Sequence, residues 1–277
     1  SQSCQIDIAD GTMNYIEFGK GRQPLIILPG LSDGISPVHG QMQAIILASA
    51  YKKFARDFKV YIFSRKSNLK YGYSTREMAK DQANAMKAIG ISNAMIVGVS
   101  QGGMIAQYLA IDYPELVKKL VLAVTVSRKN RTMEEVVCNW IAIAEQGNYK
   151  ELMIDTAEHS YSETYLKKYR FLYPFLGVIG KPKNCDRFLI QATSCIEHNS
   201  YLELEKIICP TLVIGGGCDK IVGANAATEL SDKIRNCELF IYKTLGHATY
   251  EEAKDFNDRV LSVSYTHLRA HETRRHL

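Results

Sequence analysis

Six short, nearly uninterrupted apolar runs constrain this chain most: LIIL at 25–28, VYIF at 60–63, AMIVG at 94–98, LVLAV at 120–124, TLVIG at 211–215 and ELFIY at 238–242. A strand with one face in water alternates apolar and polar residues, so runs this continuous suit strands buried on both faces of a parallel sheet. Most are separated by segments with helical spacing, at 38–55, 75–89, 101–112 and 224–234. Strand alternating with helix predicts an α/β fold built on a mostly parallel, doubly wound sheet. Ahead of the first run, QIDIADGTMNYIEF at 5–18 alternates on both sides of Asp10-Gly11 and predicts an opening antiparallel hairpin. One interval breaks the rhythm. Residues 131–205 carry helical patterns and no convincing strand, yet are neither Gly/Ser-rich nor poor in apolar residues, which predicts an inserted helical cap on a core formed by 1–130 and 206–261.

Within that interval Tyr161, Tyr165, Tyr169 and Tyr173 recur every fourth residue after a Ser160/Glu163 capping-box pattern, and Pro174 closes the run. These rings should share a helix face. That face, like Trp140, the only tryptophan, either packs on neighbouring helices or lines a substrate pocket. The 34 basic and 29 acidic residues are interspersed, and a net charge of +5 leaves no nucleic-acid or membrane-surface footprint, so a small molecule is the expected partner. Seven scattered cysteines form no CxxC and no zinc spacing, which suits free thiols in a reducing compartment. The first residues, SQSCQIDIAD, lack the basic and apolar regions of a secretory signal, and a cytoplasmic location is expected. From Ser262 the stretch SVSYTHLRAHETRRHL is unlike what precedes it and matches a translated transposase sequencing adapter. We read 262–277 as a non-native tail, in preference to a metal-binding or basic one, and as no part of the core.

The chemistry centres on Gly98-Val99-Ser100-Gln101-Gly102. This G-x-S-x-G follows an apolar run and precedes Met104, Ile105, Tyr108 and Leu109 at helical spacing, the setting in which a strained strand-to-helix turn lifts a serine hydroxyl above the sheet edge. A serine hydroxyl needs a base, and the base an orienting group. Chain order in such folds puts the acid and then the histidine after the serine. Asp219, just past TLVIGG, and His247, in the turn after ELFIY, are the candidates, both where strand ends converge. For an oxyanion, the N–H of Gln101 and the N–H of Leu31, in the loop after LIIL, are the expected donors, and the Ser32 hydroxyl is a candidate addition. Trp140 and Ser32 are thus the candidate substrate-binding residues. Of the other histidines before the tail, His39 is placed at the pocket border, and His159 and His198 are read as cap residues. No metal or cofactor is called for.

Over residues 12–261 the chain resembles the α/β-hydrolase superfamily, through LPGLSDG, GVSQGGMIAQYLAIDYPELVKKLVL, PTLVIGGGCDKIV and LGHATYEEAKDFNDRVL. These stretches are similar to bacterial carboxylesterases and enol-lactonases with a helical cap. The resemblance implies a serine hydrolase acting on a small acyl substrate, and Ser100 sets the chain apart from dehalogenases and epoxide hydrolases, which place Asp there. It also admits thioesterases, aminopeptidases, C–C bond hydrolases and small-ligand receptors that keep the triad. Pro29-Gly30 departs from the His-Gly of many relatives, and the final helix, with Ala253, Phe256 and Val260 facing the core, runs into foreign sequence.

Overall fold

The computed structural model describes residues 1–264. Strands β1 (Gln2–Ile8), β2 (Gly11–Phe18), β3 (Gln23–Leu28), β4 (Phe58–Lys66), β5 (Ala94–Val99), β6 (Val117–Ala123), β7 (Thr211–Gly216) and β8 (Cys237–Tyr242) form one sheet in the order β1-β2-β4-β3-β5-β6-β7-β8. Only β2 runs against its neighbours, pairing antiparallel with β1 and β4; from β4 to β8 every pairing is parallel. The opening hairpin closes with Ile8 opposite Gly11, so the turn residues are Ala9 and Asp10, one position earlier than the Asp10-Gly11 pattern suggests. Asp10 takes the left-handed conformation there, at φ 63°.

Helices cover both faces. On one side α2 (Thr75–Ile89), α3 (Gln101–Asp112) and α8 (Ala226–Lys233) pack on Ile26, Leu28, Ile96, Leu120 and Val213. On the other, α1 (Gln41–Ala50) and the helical residues 256–264 pack on Leu25, Ile27, Val97, Val121 and Ile214. Alternate residues of one strand therefore feed opposite clusters, which is why the strands read as continuous apolar runs. Local signals set the helix ends. In α2 the Ser74 hydroxyl accepts from Glu77 N–H while the Glu77 carboxylate accepts from Ser74 N–H, and Gly90 at φ 82° stops the helix.

Between β6 and β7 the chain forms no strand, only α4 (Arg131–Glu145), α5 (Tyr149–Ser160), α6 (Glu163–Tyr169), α7 (Asp186–Glu197) and short 3₁₀ turns. The capping serine of α6 is Ser162, whose hydroxyl accepts from Tyr165 N–H at 3.3 Å; Ser160 ends α5 and donates back to Thr156 O. The Ser160/Glu163 pattern is thus displaced by two residues, because Ser160 still has helical carbonyls within reach. The tyrosine ladder holds for three rungs, with ring centroids 4.3 Å apart for Tyr161–Tyr165 and 4.4 Å for Tyr165–Tyr169. Tyr173 leaves it for a 3₁₀ turn and donates to Glu158. Packing also runs past Leu261: Val263 is buried, and the Lys119 ammonium donates to Val263 O and Ser264 O. This corrects the expectation that nothing beyond Leu261 joins the core. The rest of the tail lies outside the described residues. Among the described residues no helix is long and apolar enough to cross a membrane.

Candidate active site

The strand order reverses at β3, which lies between β4 and β5, so the loops leaving β3 and β5 diverge and open a crevice at their carboxyl ends. Ser100 sits there, between β5 and α3, at φ 53° and ψ −117°. Non-glycine residues avoid this conformation, and here the surroundings enforce it. Ser100 N–H donates to Ala123 O at 2.9 Å and Ser100 O accepts from the Thr125 hydroxyl at 2.7 Å, so both sides of the strained residue are fixed to the end of β6. The glycines admit the turn because a Cβ on Gly98 would lie 2.6 Å from Gly103 Cα, and one on Gly102 would strike the end of β3.

His247 and Asp219 arrive from the loops after β8 and β7. His247 Nδ1 is 2.9 Å from Asp219 Oδ2, and His247 Nε2 is 3.1 Å from Ser100 Oγ. A carboxylate only accepts, so Nδ1–H donates to Asp219, and Nε2 offers its lone pair to the Ser100 hydroxyl. The other carboxylate oxygen, Asp219 Oδ1, accepts from Ile221 N–H (2.8 Å) and Val222 N–H (2.9 Å). Asp219 and His247 are both buried, which strengthens these bonds and fixes the ring. Three residues separated by 119 and 28 positions thus meet in one hydrogen-bonded line.

The loop after β3 lies against the serine: a Cβ on Gly30 would stand 3.2 Å from Ser100 Cβ. Leu31 opens a short 3₁₀ turn and Gln101 opens α3, and the first N–H groups of such turns have no partner within the helix. Ser32 is exposed, and its carbonyl accepts from Ile35 N–H and Ser36 N–H.

Sequence reading missed what holds this loop. Arg65, at the end of β4 and 1% exposed, sends one nitrogen to both sides of the crevice: Nη2 donates to Pro29 O and, at 3.0 Å, to Gln101 Oε1. The Gln101 amide in turn donates to Ser194 Oγ and Gln191 O on α7. Asp33, also 1% exposed, accepts from Ser64 Oγ (2.5 Å), Arg65 N–H (3.3 Å), Arg187 Nη2 (2.8 Å) and Gln191 Nε2 (2.9 Å). Burial alone would raise the Asp33 carboxyl; the Arg65 and Arg187 guanidiniums, with the Ser64 and Gln191 bonds, hold it below the ordinary carboxylate value. Burial pushes Arg65 down to about 10 against the pull of Asp33, so it stays charged at neutral pH. The available signal was a polar Ser-Arg-Lys ending the apolar VYIF run, with Asp33 just past LPGL.

Facing the crevice is an apolar cluster that joins the 131–197 helices to the site loops. Trp140, Val137, Met133 and Phe188 meet Met104 of α3 and Ile221 and Val222 of the Asp219 loop, with Leu31 packed against them. Trp140 is buried and donates its indole N–H to Asp155 Oδ2 at 2.7 Å, while His159 lies edge-on to its ring. His39 is exposed and bonds to Pro37 O. His198 is buried beside Thr75 and Tyr108, away from the Ser100 line. Among the described residues no group of three or more His, Cys, Asp or Glu side chains is placed to hold a metal ion.

The family model described as alpha/beta hydrolase fold matches residues 23–254. A Pseudomonas protein named 2-hydroxy-6-oxononadienedioate/2-hydroxy-6-oxononatrienedioate hydrolase is 24% identical, over 93% of this chain and 94% of its own. Among solved structures, the enol-lactonase from Burkholderia xenovorans superposes with a TM-score of 0.80 at 17% identity, covering 94% of this chain and 99% of that one. An esterase from Exiguobacterium antarcticum gives 0.78 at 19% identity, covering 95% and 100%. Expected from its motifs and matched by the family model over most of its length, the chain belongs to the α/β-hydrolase fold family.

Proposed function

We propose that this protein is a serine hydrolase that cleaves a small carboxylic ester or lactone through an acyl-enzyme. The observation that carries the reading is the continuous line Ser100 Oγ, His247, Asp219 at 3.1 and 2.9 Å. In the first half-reaction Ser100 Oγ attacks the carbonyl carbon as its proton passes to His247 Nε2, and Asp219 stabilises the imidazolium. The carbonyl oxygen becomes an oxyanion held by the N–H groups of Leu31 and Gln101. The C–O bond then breaks, the leaving alkoxide takes the proton from Nε2, and the acyl group remains on Ser100. Water repeats the sequence with His247 as base and releases the acid. In a lactone the alcohol stays tethered to the acyl group.

The apolar cluster around Met104, Trp140 and Phe188 supports a substrate with an apolar portion, and the helices of 131–205 would act as a cap that selects it. The Trp140 indole N–H is engaged by Asp155, which favours a packing role for that ring at the pocket wall. The structural likeness to an enol-lactonase and an esterase is in keeping with ester chemistry. The scattered unpaired cysteines support a reducing, cytoplasmic setting.

A second reading, hydrolysis of a 2-hydroxy-6-oxo dienoate, is favoured by the relative of that name that matches almost the full chain. Parallel turnover of p-nitrophenyl esters of increasing chain length, of lactones and of a 2-hydroxy-6-oxo dienoate separates the two. Ester or lactone kcat/KM should exceed that of the dienoate by at least about tenfold. The opposite order would establish the second reading, and steady turnover of either substrate would exclude a ligand receptor with vestigial hydrolysis.

A further inference from the structure

The segment between α6 and α7 is turned inside out relative to a normal surface loop. Several of its polar groups are engaged within the protein: Arg170 pairs with Glu158 and Glu163, the Tyr173 hydroxyl donates to Glu158 at 2.7 Å, and the Tyr149 hydroxyl donates to Ile179 O at 3.2 Å. Its apolar side chains point into water. Phe171 is 70% exposed, Phe175 57%, Val178 79% and Ile179 70%, with Leu172 beside them. Other large apolar side chains are exposed elsewhere, Met42, Ile45 and Ile46 among them, but here five lie within nine positions, and such a run marks an interaction surface.

Exposed lysines flank this patch on both sides. Lys167 and Lys168 precede it, Lys181 and Lys183 follow it, and Lys150 lies against Gly177, whose added Cβ would stand 3.1 Å from Lys150 Cβ. All five lysines are exposed, and among the described residues none is in an ion pair. Among the described residues, the acidic side chains in ion pairs with the segment, Glu158 and Glu163, both pair with Arg170.

We propose that this face docks on an anionic lipid surface, with Phe171, Phe175, Val178 and Ile179 entering the headgroup boundary and the lysines on the phosphates. Apolar residues inserted a few ångströms deep, rimmed by long cations whose stems reach past them, are what an interfacial segment requires. Each lysine near such a surface contributes a favourable term that salt screens. A second copy of the chain fits poorly, because an isologous contact through this patch would face lysines with lysines. The whole-chain balance of +5 gave no sign of this surface, because it averages a local excess over many interspersed acids. The docking does not depend on the proposed ester chemistry.

The test is co-sedimentation of the full chain with phosphatidylcholine vesicles, plain or containing about one-third phosphatidylglycerol. The protein should pellet with the anionic vesicles, bind the plain ones at least about tenfold more weakly, and be released as salt rises from about 0.05 to 0.5 M. F171S/F175S/V178S/I179S should lose at least about tenfold in vesicle binding, while Tm and turnover of a soluble ester stay unchanged, since these side chains are exposed. K167E/K168E/K181E/K183E should lose the preference for anionic vesicles. Wild type that stays in the supernatant would overturn the proposal, as would equal binding by the serine variant. A dimer in sedimentation velocity that the serine variant converts to monomer, without vesicle binding by wild type, would assign the patch to a second copy instead.

Discussion

Replacing Asp33 by Asn removes one negative charge and almost no volume, and the effect should be large. The carboxylate is 1% exposed and lies between Arg187 at 2.8 Å and Arg65, itself 1% exposed. An amide still offers one oxygen to Arg187 and Gln191, so much of the hydrogen bonding survives; what vanishes is the countercharge for two guanidiniums. Breaking a buried pair from one side costs about 3–5 kcal/mol, because the remaining charge stays desolvated. At about 2–4 °C per kcal/mol for a chain of this size, Tm should fall by roughly 6–20 °C. The sign of the pH dependence gives a second readout. The folded state holds the Asp33 carboxyl below its ordinary value, so its contribution is present above the unfolded value of about 3.9 and is lost as pH falls through the folded value. Urea titrations from pH 7 to pH 3 should therefore show the gap between wild type and Asp33→Asn closing below about pH 4. In the Asp33→Asn background, Arg187→Met should cost much less than it does alone, since the two share one interaction. Turnover should drop with stability, because Arg65 also holds Pro29 and Gln101. A variant within about 1 kcal/mol of wild type at pH 7 would refute the view that this carboxylate anchors the loop.

Three further outcomes follow from the same contacts. Asp219→Asn keeps the shape but can hold His247 in the wrong tautomer, and kcat should fall by about 10⁴ in steady-state ester assays with little change in Tm. Burial pushes the His198 imidazole down to about 3, so between pH 7 and 5 the unfolded chain binds a proton that the folded chain refuses. Wild type should then lose about 2 kcal/mol more stability over that interval than His198→Asn, as read by urea titration; parallel curves would contradict it. Ending the chain at Leu261 removes buried Val263 and both carbonyl partners of the Lys119 ammonium, and should cost about 2–4 kcal/mol in the same titration.

The sheet and the serine elbow were legible because both are local. A strand buried on two faces writes itself as an apolar run, and G-x-S-x-G places three small residues where two backbones cross within a few positions. Asp219 and His247 were found by their position after late strands, a rule of chain order rather than of pattern. The brace around Asp33 was not legible: its partners Ser64, Arg187 and Gln191 lie 31, 154 and 158 residues away, and no periodicity links them. The tyrosine ladder was foreseen by its spacing, while its cap moved from Ser160 to Ser162 because a preceding helix competed for the same serine. Val263 was lost with its surroundings, since the polar, basic composition of 262–277 hid one apolar residue at the right helical position.

The central claim, that Ser100 is an acylated nucleophile activated by His247, is tested most directly by intact-protein mass after exposure to a serine-directed organophosphonate. Wild type should gain one label and lose ester turnover in step with it. Ser100→Ala should gain none, with kcat lower by a factor on the order of 10⁴ to 10⁶, and adding His247→Ala should lower it little further. Unlabelled wild type that still turns over esters, or undiminished turnover by Ser100→Ala, would contradict the mechanism.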